Sequence, residues 1–297
     1  MHMNIWAGRP ANVLGSLWMI AAMAFFAVED AAIKAASLSL PVGQILILFG
    51  LGGASVFAAV LVLRGKPLFQ REVVSRPMRI RVCFEVMGRL FYVLALALTP
   101  LSSATVILQA TPLVVVAGAA LVFGERVGWR RWTAIGIGMA GVVVIIQPGT
   151  DSFSVLSILA LIGMVGFAGR DLASRAAPAA ISTAILGLYG FFAMALAGLI
   201  YAVWSGDAFV RPGAGAALAL LGTIAAGTIA YACLMKAMRI GDVSAVTPFR
   251  YSRLLFGILL GVTLFGEEIT LPMLIGSGLI VASGIFILWR SGRVPVA

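Results

Sequence analysis

Apolar runs long enough to cross a bilayer recur ten times along this chain and leave room for little else. They cover roughly 12–33, 42–63, 79–98, 102–123, 132–147, 154–175, 182–204, 214–237, 244–265 and 271–289. A spanning helix needs about 20 predominantly apolar residues, and most of these runs supply them. The joints between them are short and carry turn signals, among them Thr99-Pro100, Gln147-Pro148-Gly149 and Ile240-Gly241-Asp242. No long linker, charge block or low-complexity stretch offers a place for a soluble appendage. Only 11% of the residues are charged, against about 25% in soluble domains. The chain is therefore predicted to be an all-α polytopic membrane protein of ten transmembrane helices.

The basic residues predict its orientation. The formal net charge is +10, which in a soluble protein would suggest nucleic acid; here it matches the Lys and Arg excess of cytoplasmic loops. With the N-terminus inside, sixteen of the 21 Lys and Arg residues fall at inside positions, Arg81 and Arg170 counted among them, and two, Lys34 and Arg211, fall outside. Both termini are thus expected in the cytoplasm, in a multi-pass protein of the cell inner membrane whose partners are the lipid bilayer and a small molecule, not nucleic acid. Trp129, Trp132, Trp204 and Trp289 stand near helix ends, as interfacial anchors do. Residues 13–27 follow Arg9 and read as the first spanning helix rather than a cleaved signal. Cys83, Cys233 and the lone His2 have no ligand spacing, so neither metal nor cofactor is expected.

The runs are also related to one another. Ser102–Glu125 returns 142 positions later: Ser102 corresponds to Ser244, Thr105 to Thr247, and Phe123-Gly124-Glu125 to Phe265-Gly266-Glu267. Phe26-Ala27-Val28-Glu29-Asp30 with Lys34 likewise echoes Phe167-Ala168-Gly169-Arg170-Asp171 with Arg175. The chain divides into two five-helix repeats, 1–149 and 150–297. Since five is odd, the halves cross the membrane in opposite senses. Inverted repeats of this kind build secondary transporters, with the site near the midplane between the halves.

In their order and spacing, these repeats resemble the EamA-type transporters of the drug/metabolite transporter superfamily, and the likeness spans the whole chain. Each half closes with a small-residue helix, Gly-Glu, a short turn and a Gly-rich last helix. The basic, short-looped form is most similar to bacterial inner-membrane exporters of amino acids and related metabolites. The resemblance implies a helix bundle whose central cavity opens alternately to either side. One departure stands out: the acidic residue that often precedes a proline in the fourth helix of such halves is missing. The first half has Thr111-Pro112, and the second has Arg253-Leu254 with its proline earlier, at Pro248.

Charge within the apolar runs is the sharpest pointer to a site, because stranding it in lipid costs at least ~2.5–3.5 kcal/mol per group. Arg81, Glu85 and Arg89 recur every four residues on one helical face, and Tyr92 continues the stripe. Glu85 and Arg89 either neutralise each other and join helices or contact substrate; Arg81 reads as an interface residue. Arg250 and Arg253, three apart, share a face in the ninth run. They either snorkel to the surface or line the cavity, where one receives a carboxylate in a bidentate fork while Glu85 faces an ammonium group.

Pro112 and Pro248 cannot donate to the carbonyls of Leu108 and Ser244. Carbonyls freed in this way are tolerated at membrane depth where they face protein or a polar cavity, which makes the nearby Gln109 a candidate lining residue. Trp18 and Tyr231, with Phe26 and Phe167, are candidates for apolar walls. Gly163, Gly166 and Gly169 serve close helix approach or a gating hinge.

The predicted function is a secondary transporter exporting amino acids or related small amphiphilic metabolites by alternating access. Two alternatives stay open: transport of organic anions or phosphorylated metabolites, and proton-coupled efflux of cationic drugs with Glu85 as the only acid of sufficient depth. An enzyme is not expected, since the chain has no nucleophile elbow, nucleotide loop or metal-ligand spacing. Monomer and homodimer are not distinguished.

Overall fold

The computed structural model describes residues 9–124, 128–147, 154–178, 180–240 and 247–291, and among them every regular element is helical. The first half contains α1 (Arg9–Ser37), α2 (Val42–Leu63), α3 (Arg76–Leu98), α4 (Leu101–Leu108), α5 (Thr111–Phe123) and α6 (Trp129–Ile146). The second contains α7 (Ser157–Arg175), α8 (Thr183–Ser205), α9 (Ala214–Ile240), a 3-10 turn (Thr247–Tyr251), α10 (Ser252–Phe265) and α11 (Leu271–Ser291). By length and composition six spans qualify as membrane-crossing: those in α1, α2, α7, α8 and α9, and the combined stretch Leu101–Val122. Shorter apolar helices cover Trp132–Ile146 and Leu271–Phe286. The 23 residues of α3 are long enough, but Arg76, Arg79, Arg81, Glu85 and Arg89 make it too charged to qualify.

The fourth span is a single predicted helix that the structure divides. Pro112 has no N–H to continue the ladder, and the amides of Gln109 and Ala110 bond instead to Val106 and Ile107, three residues back. The Leu108 carbonyl is taken by the Thr111 hydroxyl at 2.5 Å. The chain thus compensates for the break locally and restarts as α5. In the second half the corresponding place is the 3-10 turn that leads into α10. Pro248 belongs to that turn, and its side chain lies outside the described residues.

The helices pack across the halves. α1 lies against α9, α2 against α8, α3 against α7, α4 against α10 and α6 against α11. Further contacts join α1 to α10, and α7 to α4 and α5. Pairing the helices by order (α1 with α7, α2 with α8, α3 with α9, α4–α5 with α10, α6 with α11) carries this set of partnerships onto itself. Small residues permit the closeness. A Cβ on Gly166 of α7 would collide with the Gly88 backbone of α3, and one on Gly163 would come within 3.0 Å of the Tyr92 amide nitrogen. The repeated Phe-Gly-Glu motif also has a backbone cause: Gly124 and Gly266 end α5 and α10 in the left-handed region, at φ 66° and 63°, where only glycine has no Cβ penalty. Glu125 lies outside the described residues.

Candidate functional site

The crossing of α3 with α7 and the approach of α1 and α10 bring nine charged side chains into one continuous network. Asp30 of α1 accepts from both Nη2 and Nε of Arg253, at 2.6 and 3.1 Å, and from the Tyr92 hydroxyl at 3.1 Å. Its neighbour Glu29 accepts from Arg89 at 3.0 Å. Glu85 stands among three guanidiniums: Arg81 and Arg89 on its own helix, each at 3.3 Å, and Arg170 of α7 at 3.5 Å. Arg170 also grips Asp171 at 2.8 Å, and Asp171 lies 4.0 Å from Arg250. Arg81 donates to the Ser174 hydroxyl at 2.9 Å, adding a second tie from α3 to α7. Phe167 lies under both Arg170 and Arg89, with ring centroids 4.7 and 5.5 Å from the guanidinium carbons. Such stacking offsets part of the lost hydration of the cations.

This network has a closed interior and one open end. The Glu29 and Asp30 side chains are 1% exposed and Glu85 is 3% exposed, whereas Asp171 and Arg250 reach 27% and 34%. Toward the other end of α1 the way is shut by a second polar knot. Lys34 donates to the Thr99 carbonyl at 2.6 Å and lies 3.8 Å from Glu267. Glu267 in turn accepts from the main-chain N–H groups of Leu101 and Ser102, at 2.5 and 2.9 Å, and from the Ser102 hydroxyl at 2.6 Å. A carboxylate there satisfies the unpaired donors at the start of α4 and complements its dipole.

Several of the sequence-predicted site residues meet here and others do not. Glu85, Arg89, Tyr92 and Arg253 are joined directly or through Glu29 and Asp30. Gln109, at the break between α4 and α5, donates to the Arg250 carbonyl at 3.1 Å, so that break touches the 3-10 turn leading into α10. Tyr231 donates to the Thr183 carbonyl at 3.2 Å and packs edge-on against Phe57. Trp18 belongs to a separate apolar cluster with Met19 and Cys233, and Lys236 lies 4.1 Å above its ring. A surface groove of about 560 Å³ between α6 and α11, lined by Trp129, Thr133, Ile137, Ser283 and Phe286, shares no residue with the charged network.

Three sequence expectations change. Arg81 and Arg170, counted at inside positions near the ends of their helices, point from α3 and α7 into the network; their removal from the sixteen leaves the inside bias in place. Arg81, expected at an interface, is 5% exposed. Glu85 is also not the only deep acid, since Glu29 and Asp30 are more deeply enclosed and Asp171 joins them. The signal for these missed residues was present. The motifs at Glu29-Asp30 and Arg170-Asp171 fall at equivalent places in two apolar runs, and charges there need partners.

Comparison with known proteins agrees with this architecture. A riboflavin transporter of Vibrio cholerae is 26% identical over 293 residues, covering 92% of each chain. A riboflavin transporter of Rhizobium johnstonii is also 26% identical, over 99% of this chain and 97% of its own. An S-adenosylmethionine uptake transporter of Rickettsia prowazekii is 24% identical over 69% of each chain. A solved crystal structure shares the fold, with a TM-score of 0.63 over 98% of this chain and 100% of its own, at 19% identity. The profile of the EamA-like transporter family matches twice, at residues 13–147 and again at 155–289. This chain is a multi-pass membrane protein that belongs to the EamA-like transporter family.

Proposed function

We propose that this protein is a secondary transporter of small amphiphilic metabolites, working by alternating access between two inverted five-helix repeats, 1–149 and 150–297. The observation that carries the reading is the charged network itself. It draws on both halves, lies where the α4–α5 break meets the 3-10 turn before α10, and is open at Asp171 and Arg250 but shut beyond Lys34 and Glu267. Interrupted helices around a midplane site are the usual construction of inverted-repeat carriers. The double family match and the exchange symmetry of the helix contacts support the division into halves.

In this reading ten spans cross the cell inner membrane with both termini in the cytoplasm, as the Lys and Arg bias favours. Lys34 then stands at the outer end of α1, about 6 Å beyond Asp30 at 1.5 Å per residue. The described arrangement is accordingly open inward and closed outward. In the opposite state, the contacts of Glu267 with Ser102 and Lys34 part while the Asp171–Arg250 end closes.

Reconstituted proteoliposomes test the proposal. The panel holds amino acids, the class the sequence favours for export, together with riboflavin and S-adenosylmethionine, for which the relatives are named. Flux is measured in both directions, since the Rickettsia relative is named for uptake. Protein-dependent, saturable flux that is stimulated by the same solute on the opposite side is expected. An absence of such flux for every solute rejects the reading.

A further inference from the structure

The nine charges of the network do not cancel, and the excess has a definite address. Among the described residues it holds four carboxylates, Glu29, Asp30, Glu85 and Asp171, against five guanidiniums, Arg81, Arg89, Arg170, Arg250 and Arg253. Asp30 is committed to Arg253 at 2.6 Å, Glu29 to Arg89 at 3.0 Å, Glu85 to Arg81 at 3.3 Å and Asp171 to Arg170 at 2.8 Å. Arg250 is left with its 4.0 Å approach to an Asp171 already held more closely by Arg170. It is also the most exposed of the five, at 34%, and it stands at the open end. The Gln109 bond to its carbonyl fixes the backbone, and among the described residues the guanidinium has only the 4.0 Å approach to Asp171.

We infer that Arg250 is the seat of an anionic group of the ligand, a carboxylate or a phosphate monoester, which completes the charge balance of the network on entry. This rests on the transport reading and narrows it to ligands that carry such a group. A guanidinium offers a planar fork of donors matched to either anion. Its excess charge at membrane depth is costly until an anion arrives. Asp171 is then the internal competitor that the ligand displaces from Arg250, while Arg170 retains it. Arg253, three residues along, cannot take this part without giving up Asp30.

Arginine-specific labelling with phenylglyoxal tests this without measuring transport. The protein is held in nanodiscs and the labelled peptide is sequenced by mass spectrometry, with Arg253 as the internal reference. Wild-type Arg250 is expected to react and Arg253 to resist. Succinate or inorganic phosphate should slow Arg250 labelling several-fold at matched ionic strength, while succinamide should not. Protection by succinate alone assigns a carboxylate, and protection by phosphate alone a phosphate ester. Protection by neither, or equal protection by succinamide or chloride, overturns the inference. In Asp171→Asn, half-protection should come at lower anion concentration because the competitor is gone; a requirement for more anion would count against the assignment. Protection without flux in any proteoliposome would leave the anion site standing and remove the transport reading; flux without protection would do the reverse.

Discussion

Glu267, at the end of α10, seals the start of α4 by accepting both the main-chain N–H and the hydroxyl of Ser102, 165 positions away. A helix start in an apolar setting leaves N–H groups that need acceptors. Here the acceptor comes from the other half of the chain. The cap is therefore also a clasp between halves, and Lys34, bonded to the Thr99 carbonyl and 3.8 Å from the same carboxylate, ties α1 into it.

If that clasp holds the outer end shut, Glu267→Gln should loosen it. The substitution keeps the size but gives up charge-assisted bonds, each worth ~1.5–3 kcal/mol. With Cys83 and Cys233 replaced by Ser, a Thr99→Cys reporter should react faster with a membrane-impermeant maleimide when Glu267→Gln is added. Thr99 is buried beside Lys34, so an unchanged rate would mean that the clasp does not govern access.

Asp30 and Arg253 should behave as a coupled pair. Removing one partner of a buried ion pair leaves an uncompensated charge and costs ~3–5 kcal/mol. Asp30→Asn and Arg253→Gln should each lower thermal stability in detergent markedly, and the double variant should recover much of the loss. Additive losses would instead show that the 2.6 Å contact contributes little of its own.

The sequence was most informative where geometry follows from periodicity. Apolar runs became helices because hydrogen bonds within the segment are the way a backbone is satisfied in lipid, and the four-residue spacing of Arg81, Glu85 and Arg89 placed them on one face as observed. The charges at Glu29-Asp30 and Arg170-Asp171 signalled a need for partners, but their pairing with that face was not legible, because they reach it only through tertiary packing. Arg170 in particular stands within six residues of the end of α7, where one-dimensional reading cannot separate a buried charge from a loop charge. Likewise Thr111-Pro112 signalled a freed carbonyl, but not that the helix would divide there with the Thr111 hydroxyl taking that carbonyl.

Gly166 tests the packing that positions the network. Its Cβ-less surface lets α7 meet the Gly88 backbone of α3, and it lies one turn before Arg170. Gly166→Ala should force the helices apart at a cost of ~1–3 kcal/mol from overpacking. The change would also lengthen the reach from Arg170 to Glu85. A variant with wild-type stability would place the slack in the helix crossing and weaken the case that the network depends on it.

Gln109 connects the α4–α5 break to the 3-10 turn before α10 through a single bond, from Nε2 to the Arg250 carbonyl. A neutral hydrogen bond of this kind contributes ~0.5–1.5 kcal/mol, so Gln109→Leu should cost little in thermal stability. Its effect on transport should be larger, because the bond holds the backbone that carries Arg250 beside the α4–α5 break. Half-saturation for the transported solute should rise while the amount of folded protein stays near wild type. If both fell together, the bond would be serving the fold and not the position of Arg250. Gln109→Glu separates the cases further. A carboxylate at 109 cannot donate to the carbonyl, and it adds negative charge against the backbone that carries Arg250, so it should impair an anionic solute more strongly than Gln109→Leu does.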